Sequence, residues 1–172
     1  GQQEKGRRAG TENVPGIVGL GRACKLARER LQTAAVRIAG LRDRLEGRLL
    51  ALPGARRHGD PEARAPGTAN LAFAGVEGEL LFMNLDLRGV AVSTGAACSS
   101  GSPEPSPVLL ALGLLPGAAL EAVRFSLGST NTEVEVDQVA AWVEEIILQV
   151  RALAAPSGLP DGLSGTSSVK FQ

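Results

Sequence analysis

Two cysteines are the residues with the greatest capacity for chemistry in this sequence, and their surroundings differ. Cys98 lies in the stretch VAVSTGAACSSGSPEPSP (Val90–Pro107), among alanines, serines and glycines that offer no bulk to bury a thiol. Gly95 and Gly101 flank it and permit wide backbone excursions. A thiol placed in this way suits a Cys-His-Asn hydrolase, a redox centre or a sulfur carrier.

Cys24 is predicted to be structural, because it falls in an apolar helical stripe and free cysteine is often buried. A redox pair between Cys24 and Cys98 is therefore disfavoured. A hydrolase needs a histidine as well as Asn70, and the one histidine, His58, stands in the charged, turn-like stretch ARRHGDP. We expect His58 to face solvent. These residues alone leave a functional thiol and a plain turn cysteine equally open.

Two further polar residues, Arg124 and Thr11, lie at positions where a binding role would explain a polar side chain. Arg124 interrupts the apolar stretch AVRFSL, where a charge is costly unless it is paired or lies at the edge of a site. It is either an edge-strand arginine facing water or a clamp that binds a carboxylate through two N–H groups. Thr11, in RAGTEN, precedes a predicted helix. Either Thr11 or Asn13 caps that helix, or the Thr11 hydroxyl contacts an anion.

Two long helices must position these residues. Pro15 opens the first helix and Pro53-Gly54 ends it. Steps of four and three place its apolar residues on one face, which predicts core packing of Leu20, Cys24, Ala27, Leu31, Ala34, Ile38, Leu41 and Leu45. The second helix begins at a capping box, Thr132 and Glu135. Its predicted apolar face carries Val139, Val143, Ile146, Val150 and Leu153.

Short elements are predicted between the two long helices. Alternating apolar residues predict strands over Thr68–Val76, Gly89–Thr94 and Ala122–Gly128. Short helices are predicted over Glu77–Leu85 and Ser106–Leu114. The order predicts a small α+β domain, within the broad α/β class, whose short β-sheet is covered on one face by the two long helices.

Composition excludes several function classes. The chain has 172 residues with 18 basic and 18 acidic side chains, and this balance argues against nucleic acid and anionic membrane partners. Its longest uncharged run, Pro105–Leu120, is too short to span a bilayer. Two cysteines and one histidine cannot complete a zinc site, so we predict no metal. We find no signal peptide and expect a cytoplasmic protein, or a mitochondrial one if the source is eukaryotic.

Three long motifs resemble the cysteine desulfurases of the NifS/IscS kind. These are fold-type I pyridoxal 5'-phosphate enzymes related to class V aminotransferases. The motifs are GQQEKGRRAGTENVPGIVGLGRA, VAVSTGAACSSGSPEPSPVLLALGL and AVRFSLGSTNTEVEVD, in the family's order and close to its spacing. The resemblance covers roughly residues 1–153 and implies the C-terminal small domain of a fold-type I transferase.

The resemblance also implies a division of the chain. Residues 1–15 would be the junction to a large, cofactor-binding domain. Residues 16–153 would be the small α+β domain, with a catalytic cysteine loop at 94–105. Residues 154–172, rich in Gly, Ser and Pro, are expected to form a flexible tail.

Roles for the three candidate residues follow from the resemblance position by position. Cys98 would attack the sulfur of L-cysteine and become a persulfide, with L-alanine as the other product. Arg124 would hold the substrate carboxylate. Thr11 would reach across a homodimer to the cofactor phosphate in the other subunit. The persulfide sulfur would pass to an acceptor such as an iron–sulfur scaffold protein.

The family's cofactor-binding lysine follows a histidine in a segment that this chain lacks. None of Lys5, Lys25 and Lys170 stands in that context, so we expect the chain alone to be inactive. Two alternatives stay open. One is a selenocysteine lyase, which shares much of the motif pattern, and the other is a non-catalytic module for sulfur relay or protein interaction.

Overall fold

Short strands and short helices lie between two long helices. The computed structural model describes residues 1, 3–95 and 104–154. The elements in chain order are α1 (Val14–Leu50), β1 (Ala55–Arg57), β2 (Thr68–Phe73), α2 (Gly78–Asp86), β3 (Ser93–Thr94), α3 (Pro107–Ala111), α4 (Pro116–Leu120), β4 (Ala122–Ser126) and α5 (Glu133–Ala154). The predicted mixed α/β class is confirmed.

The strands form one antiparallel sheet in the order β1-β2-β4-β3. On β4, Arg124 is opposed by Asn70 of β2 on one side and by Ser93 of β3 on the other. Side chains alternate between the two faces of a strand, and directly opposed residues share a face. The register therefore separates an apolar face from a polar one.

The main core lies between the apolar face of the sheet and three helices. Leu71 and Phe73 of β2 and Val123 of β4 are fully buried there. They pack with Leu41, Leu45 and Leu49 of α1, Leu81 and Leu85 of α2, and Val136, Ala140, Val143, Ile146 and Ile147 of α5. The prediction that both long helices cover one face is confirmed, and α2 joins them there.

A second, smaller cluster lies on the opposite face. Ala72 of β2 and Ala122 of β4 pack there against Leu109 of α3 and Ala119 of α4. Small side chains on the strands allow these two five-residue helices to approach closely. Helix α4 was not predicted, because PGAAL is too short to show a helical period.

The N-terminal half of α1 departs from the prediction. Leu20 and Leu31 are 67% and 64% exposed, and Cys24 is exposed too, so the predicted burial of these residues is wrong. A helix of 37 residues is about 55 Å long. The six residues of β2 extend only about 20 Å. The sheet therefore covers α1 only near its C-terminal end, where burial begins at Leu41.

Strand boundaries also differ from expectation. The predicted strand Gly89–Thr94 shortens to Ser93–Thr94, because Val90 and Val92 pack on the core without ladder partners. Strand β1 was missed because its sequence, ARR, has no apolar alternation. In α5 the capping box is confirmed, but Leu153 is 88% exposed and lies beyond the core. No helix in the described ranges is long and apolar enough to cross a membrane.

Candidate active site

Arg124 stands on the open, polar face of the sheet. Its strand is flanked by β2 and β3, so the alternative that Arg124 lies on an edge strand is wrong. The side chain is nevertheless exposed, because α3 and α4 cover only the Ala72 and Ala122 end of that face. Within the described residues, Arg124 has no carboxylate at ion-pair distance. Its guanidinium is therefore an exposed cation on a rigid inner strand, suited to bind an anion from solution.

A row of polar residues extends across the sheet from Arg124. Ser93 opposes it on β3 and Asn70 opposes it on β2. His58 continues the row past the end of β1, because its backbone N–H donates to the Asn70 carbonyl at 2.9 Å. The structure thus brings together two residues, His58 and Asn70, that lie 12 positions apart in the sequence. Sequence reasoning weighed both residues as partners of Cys98 in a hydrolase, but it could not show that they lie side by side, because that depends on strand register.

His58 is half-buried, so the predicted solvent-exposed histidine is wrong. Burial lowers the pKa of His58, and the positive charge of Arg56 lowers it further, while Glu121 acts in the opposite direction. Among the described residues, neither His58 Nε2 nor the side-chain oxygen of Asn70 has a hydrogen-bond partner, although both atoms are buried. The row therefore contains unused hydrogen-bonding capacity next to Arg124.

The segment with the predicted nucleophile begins and ends beside this row. Cys98 and the rest of residues 96–103 lie outside the described residues. Gly95, which follows β3 directly, packs against Ser106, the residue before α3. A Cβ atom added at Gly95 would stand 2.8 Å from Ser106 Cβ and 2.9 Å from its backbone nitrogen. The two ends of the predicted catalytic loop therefore meet one strand away from Arg124.

Thr11 lies apart from the row. The N-cap of α1 is Asn13, whose side-chain oxygen accepts from the Gly16 N–H at 3.1 Å, so of the two predicted caps Asn13 is the one that forms and Thr11 is not. Thr11 is exposed just before α1 and belongs to no hydrogen bond among described residues. From Val14 to Leu41 the helix rises roughly 40 Å, which separates Thr11 from the sheet of its own chain.

The described residues do not by themselves fit pyridoxal phosphate. Lys5 is exposed in a turn with a φ of 57°, Lys25 is exposed on the projecting half of α1, and Lys170 lies outside the described residues. Thr11 offers a free hydroxyl for a phosphate, but no cradle surrounds it. For metals, the part of the chain that the structure describes gathers no group of three His, Cys, Asp or Glu side chains.

Comparison with known proteins places this arrangement in a family. The sequence model of "Aminotransferase class-V" matches residues 2–139. The cysteine desulfurase of Trichormus azollae is 47% identical over 155 residues, which cover 90% of this chain and 39% of that protein. The cysteine desulfurase of Cereibacter sphaeroides is 50% identical over 155 residues, which again cover 90% of this chain and 39% of that protein.

Solved structures give the same result. A "NifS-like protein" is 38% identical with a TM-score of 0.73, covering 87% of this chain and 37% of that one. The NifS-like protein from Rickettsia africae ESF-5 is 30% identical with a TM-score of 0.73, covering 85% of this chain and 38% of that one. The chain spans about two fifths of the length of these relatives. It belongs to the class-V aminotransferase family.

Proposed function

We propose that this chain is the C-terminal portion of a cysteine desulfurase, in which Arg124 binds the carboxylate of L-cysteine and Cys98 carries the sulfur. The observation that supports it best is the position of Arg124. It is an exposed guanidinium on an inner strand, next to the strand that leads into the Cys98 segment. The relatives that are named cysteine desulfurase supply the reaction class.

Arg124 suits an amino-acid substrate because a planar guanidinium can donate two parallel N–H groups to one carboxylate. Its backbone is held by ladders on both sides, so the fork starts from a fixed position. Binding the carboxylate end of L-cysteine leaves the thiol end free to point away from the sheet. Arg124 therefore orients the substrate and does not itself take part in bond breaking.

Cys98 is tethered close enough to reach a substrate held in this way. It follows Thr94 by four residues, and an extended chain spans at most about 3.5 Å per residue. A connection of this length spans at most roughly 14 Å from Thr94, whose partner across the ladder is Val123, next to Arg124. The convergence of Gly95 and Ser106 anchors both ends of the tether at this place.

The proposed reaction transfers one sulfur atom. The Cys98 thiolate attacks the substrate sulfur, an S–S bond forms, and the Cβ–S bond of L-cysteine breaks. The electron pair of that bond stays on carbon and takes up a proton, which gives L-alanine. A carbon centre of this kind needs an electron sink, and pyridoxal phosphate supplies that chemistry when it is bound.

The cofactor would be held largely by the portion of the relatives that this chain does not span. We propose residues 1–15 as the junction to that portion and residues 16–153 as the small domain. The projecting half of α1, with Leu20 and Leu31 exposed, would border the large domain. Thr11, remote from the sheet of its own chain, would contact the cofactor phosphate of a second subunit in a homodimer. An iron–sulfur scaffold protein is the proposed sulfur acceptor.

The two cysteines provide a matched test of this proposal. The protein is expressed from its full reading frame as wild type, Cys98→Ser and Cys24→Ser, and sulfide and alanine release from L-cysteine are measured. We expect near-total loss in Cys98→Ser, because serine cannot form a persulfide, and retained activity in Cys24→Ser. Mass spectrometry should find one added sulfur atom on the Cys98 peptide.

Unchanged turnover in Cys98→Ser would remove the central role of this thiol. The same assay with L-selenocysteine separates the lyase alternative. A selenocysteine lyase would turn over the selenium substrate and leave L-cysteine intact. Sulfur uptake on Cys98 from an external persulfide, without any turnover of L-cysteine, would instead support a relay module.

A further inference from the structure

Two buried side-chain atoms beside Arg124 lack hydrogen-bond partners among the described residues. They are Asn70 Oδ1 and His58 Nε2. Buried polar atoms in folded proteins nearly always have a partner, so two open atoms on neighbouring residues require a reason. Both residues belong to the polar row that contains Arg124, which suggests one reason for both.

Asn70 has a neighbour on each side along this row. On the β4 side its Cα partner is Arg124, and on the β1 side its carbonyl accepts from the His58 backbone N–H. Cβ atoms of directly opposed residues in an antiparallel pair are about 4.5–5.5 Å apart and lie on the same face. The Asn70 amide therefore lies between the side chains of His58 and Arg124.

The donor and acceptor properties of Arg124, Asn70 and His58 allow one arrangement in which Asn70 is hydrogen-bonded to both neighbours. A guanidinium only donates, so an asparagine that binds it must present its oxygen. The Asn70 nitrogen then faces the other neighbour and needs an acceptor there. A neutral imidazole provides one acceptor nitrogen, and the open atom of His58 is such a ring nitrogen.

We propose that Asn70 is a positioning residue that links His58 to Arg124. Arg124 donates an N–H to Asn70 Oδ1, and Asn70 Nδ2 donates to His58 Nε2. Both open atoms then have partners, and at least two N–H groups of the guanidinium stay available for a carboxylate. The benefit to substrate binding rests on the proposed function, whereas the two hydrogen bonds that join Arg124, Asn70 and His58 do not.

The electrostatics of His58 agree with this geometry. Burial and the nearby positive charge of Arg56 lower the pKa of the imidazole, which keeps the ring neutral near pH 7, against the opposing effect of Glu121. A neutral ring that accepts at Nε2 carries its proton on Nδ1. The arrangement therefore specifies one of the two tautomers.

The lone histidine of the chain allows a direct test of that tautomer. Long-range proton–nitrogen NMR spectra of the 172-residue protein report which ring nitrogen of His58 carries the proton. We expect Nδ1 to be protonated and Nε2 to be a hydrogen-bonded acceptor. A proton on Nε2 would overturn the proposal, because His58 would then donate to the Asn70 oxygen and exclude Arg124.

Two substitutions of Asn70 test the link to Arg124. The exchange rates of the Arg124 guanidinium protons with water are measured by NMR, with the signals assigned through Arg124→Lys. Asn70→Leu keeps the side-chain size but removes the acceptor, so we expect exchange to speed up about five-fold. Asn70→Asp keeps an acceptor for Arg124 but loses the donor to His58, so it should preserve slow exchange and alter the His58 tautomer.

Asn84→Leu is the matched control, since the Asn84 amide donates to the Leu80 carbonyl at 2.9 Å within α2. It should leave the signals of both His58 and Arg124 unchanged. Unchanged exchange in a natively folded Asn70→Leu protein would overturn the link to Arg124. These spectra need neither cofactor nor Cys98, so a failed sulfide assay with the expected spectra would reject the desulfurase function alone.

Discussion

At the scale of single residues, the proposed site depends on what kind of cation Arg124 is. A guanidinium presents a rigid fork, whereas an ammonium is a compact point charge on a flexible stem. Strand β4 fixes the base of the Arg124 side chain between β2 and β3, so the fork has a defined origin. Replacing arginine by lysine at this position therefore keeps the charge and removes the geometry.

We expect Arg124→Lys to raise the KM for L-cysteine about 10- to 100-fold in the protein from the full reading frame. The reason is the loss of one charge-assisted hydrogen bond, worth about 1.5–3 kcal/mol. Arg124→Ala should raise KM further. Steady-state sulfide release measures both effects. Arg28→Lys on the exposed half of α1 is the control, and an equal effect there would refute the clamp.

At the scale of elements, the contact between Gly95 and Ser106 holds the ends of the cysteine segment together. Gly95 follows β3, and Ser106 is buried immediately before α3. Only a residue without a Cβ fits here, because the nearest atoms of Ser106 include its backbone nitrogen at 2.9 Å. A backbone neighbour cannot move aside as a flexible side chain can.

Gly95→Ala should therefore displace the base of the segment. We expect a loss of about 1–3 kcal/mol in the free energy of unfolding, from overpacking. We also expect a lower kcat for sulfide release with a smaller change in KM, because Arg124 stays in place. Urea unfolding and steady-state kinetics provide the measurements. Gly117→Ala is the control, since no atom outside its own helical backbone and chain neighbours would lie within 4 Å of the added Cβ, and equal losses in the two variants would refute this account.

At the scale of the whole molecule, ion pairs join the two long helices that cover the sheet. Asp137 of α5 accepts from Arg44 Nε and Nη2 of α1 at 2.8 and 2.7 Å, and also from Arg48. Arg44, with a further contribution from Arg48, lowers the pKa of Asp137 to about 2. A depressed carboxyl pKa stabilises the folded state above the unfolded pKa near 4, and this contribution is lost as pH falls toward 2.

We expect the wild-type protein to lose more stability than Asp137→Asn between about pH 5 and pH 2. Asparagine cannot titrate, so the part of the pH dependence that comes from Asp137 disappears in this variant. Urea unfolding across this pH range measures the difference. Asp86→Asn, at the exposed end of α2 and outside the ion pairs of the described residues, should behave like wild type. Identical pH profiles for wild type and Asp137→Asn would contradict the prediction.

The sequence by itself determined the two long helices, the inner strands β2 and β4, and the candidate chemistry. Helical periodicity predicted α1 and α5, the capping box placed the start of α5, and the three motifs indicated the family. Local signals of this kind depend on neighbours a few residues apart, which the chain displays directly. The charge of Arg124 inside an apolar strand is a local signal of the same kind. It left an edge-strand arginine and a carboxylate clamp both open, and the family resemblance implied the clamp.

Only the tertiary structure decided which of these residues meet. Periodicity records an apolar face but not how far the sheet extends, so Cys24 was predicted to be buried and is exposed. Strand register placed His58 and Asn70 in one row with Arg124, and no spacing in the sequence shows a register. The tertiary fold also brought Gly95 against Ser106. Contacts between distant segments depend on packing of the whole sheet, and packing is what a linear pattern does not contain.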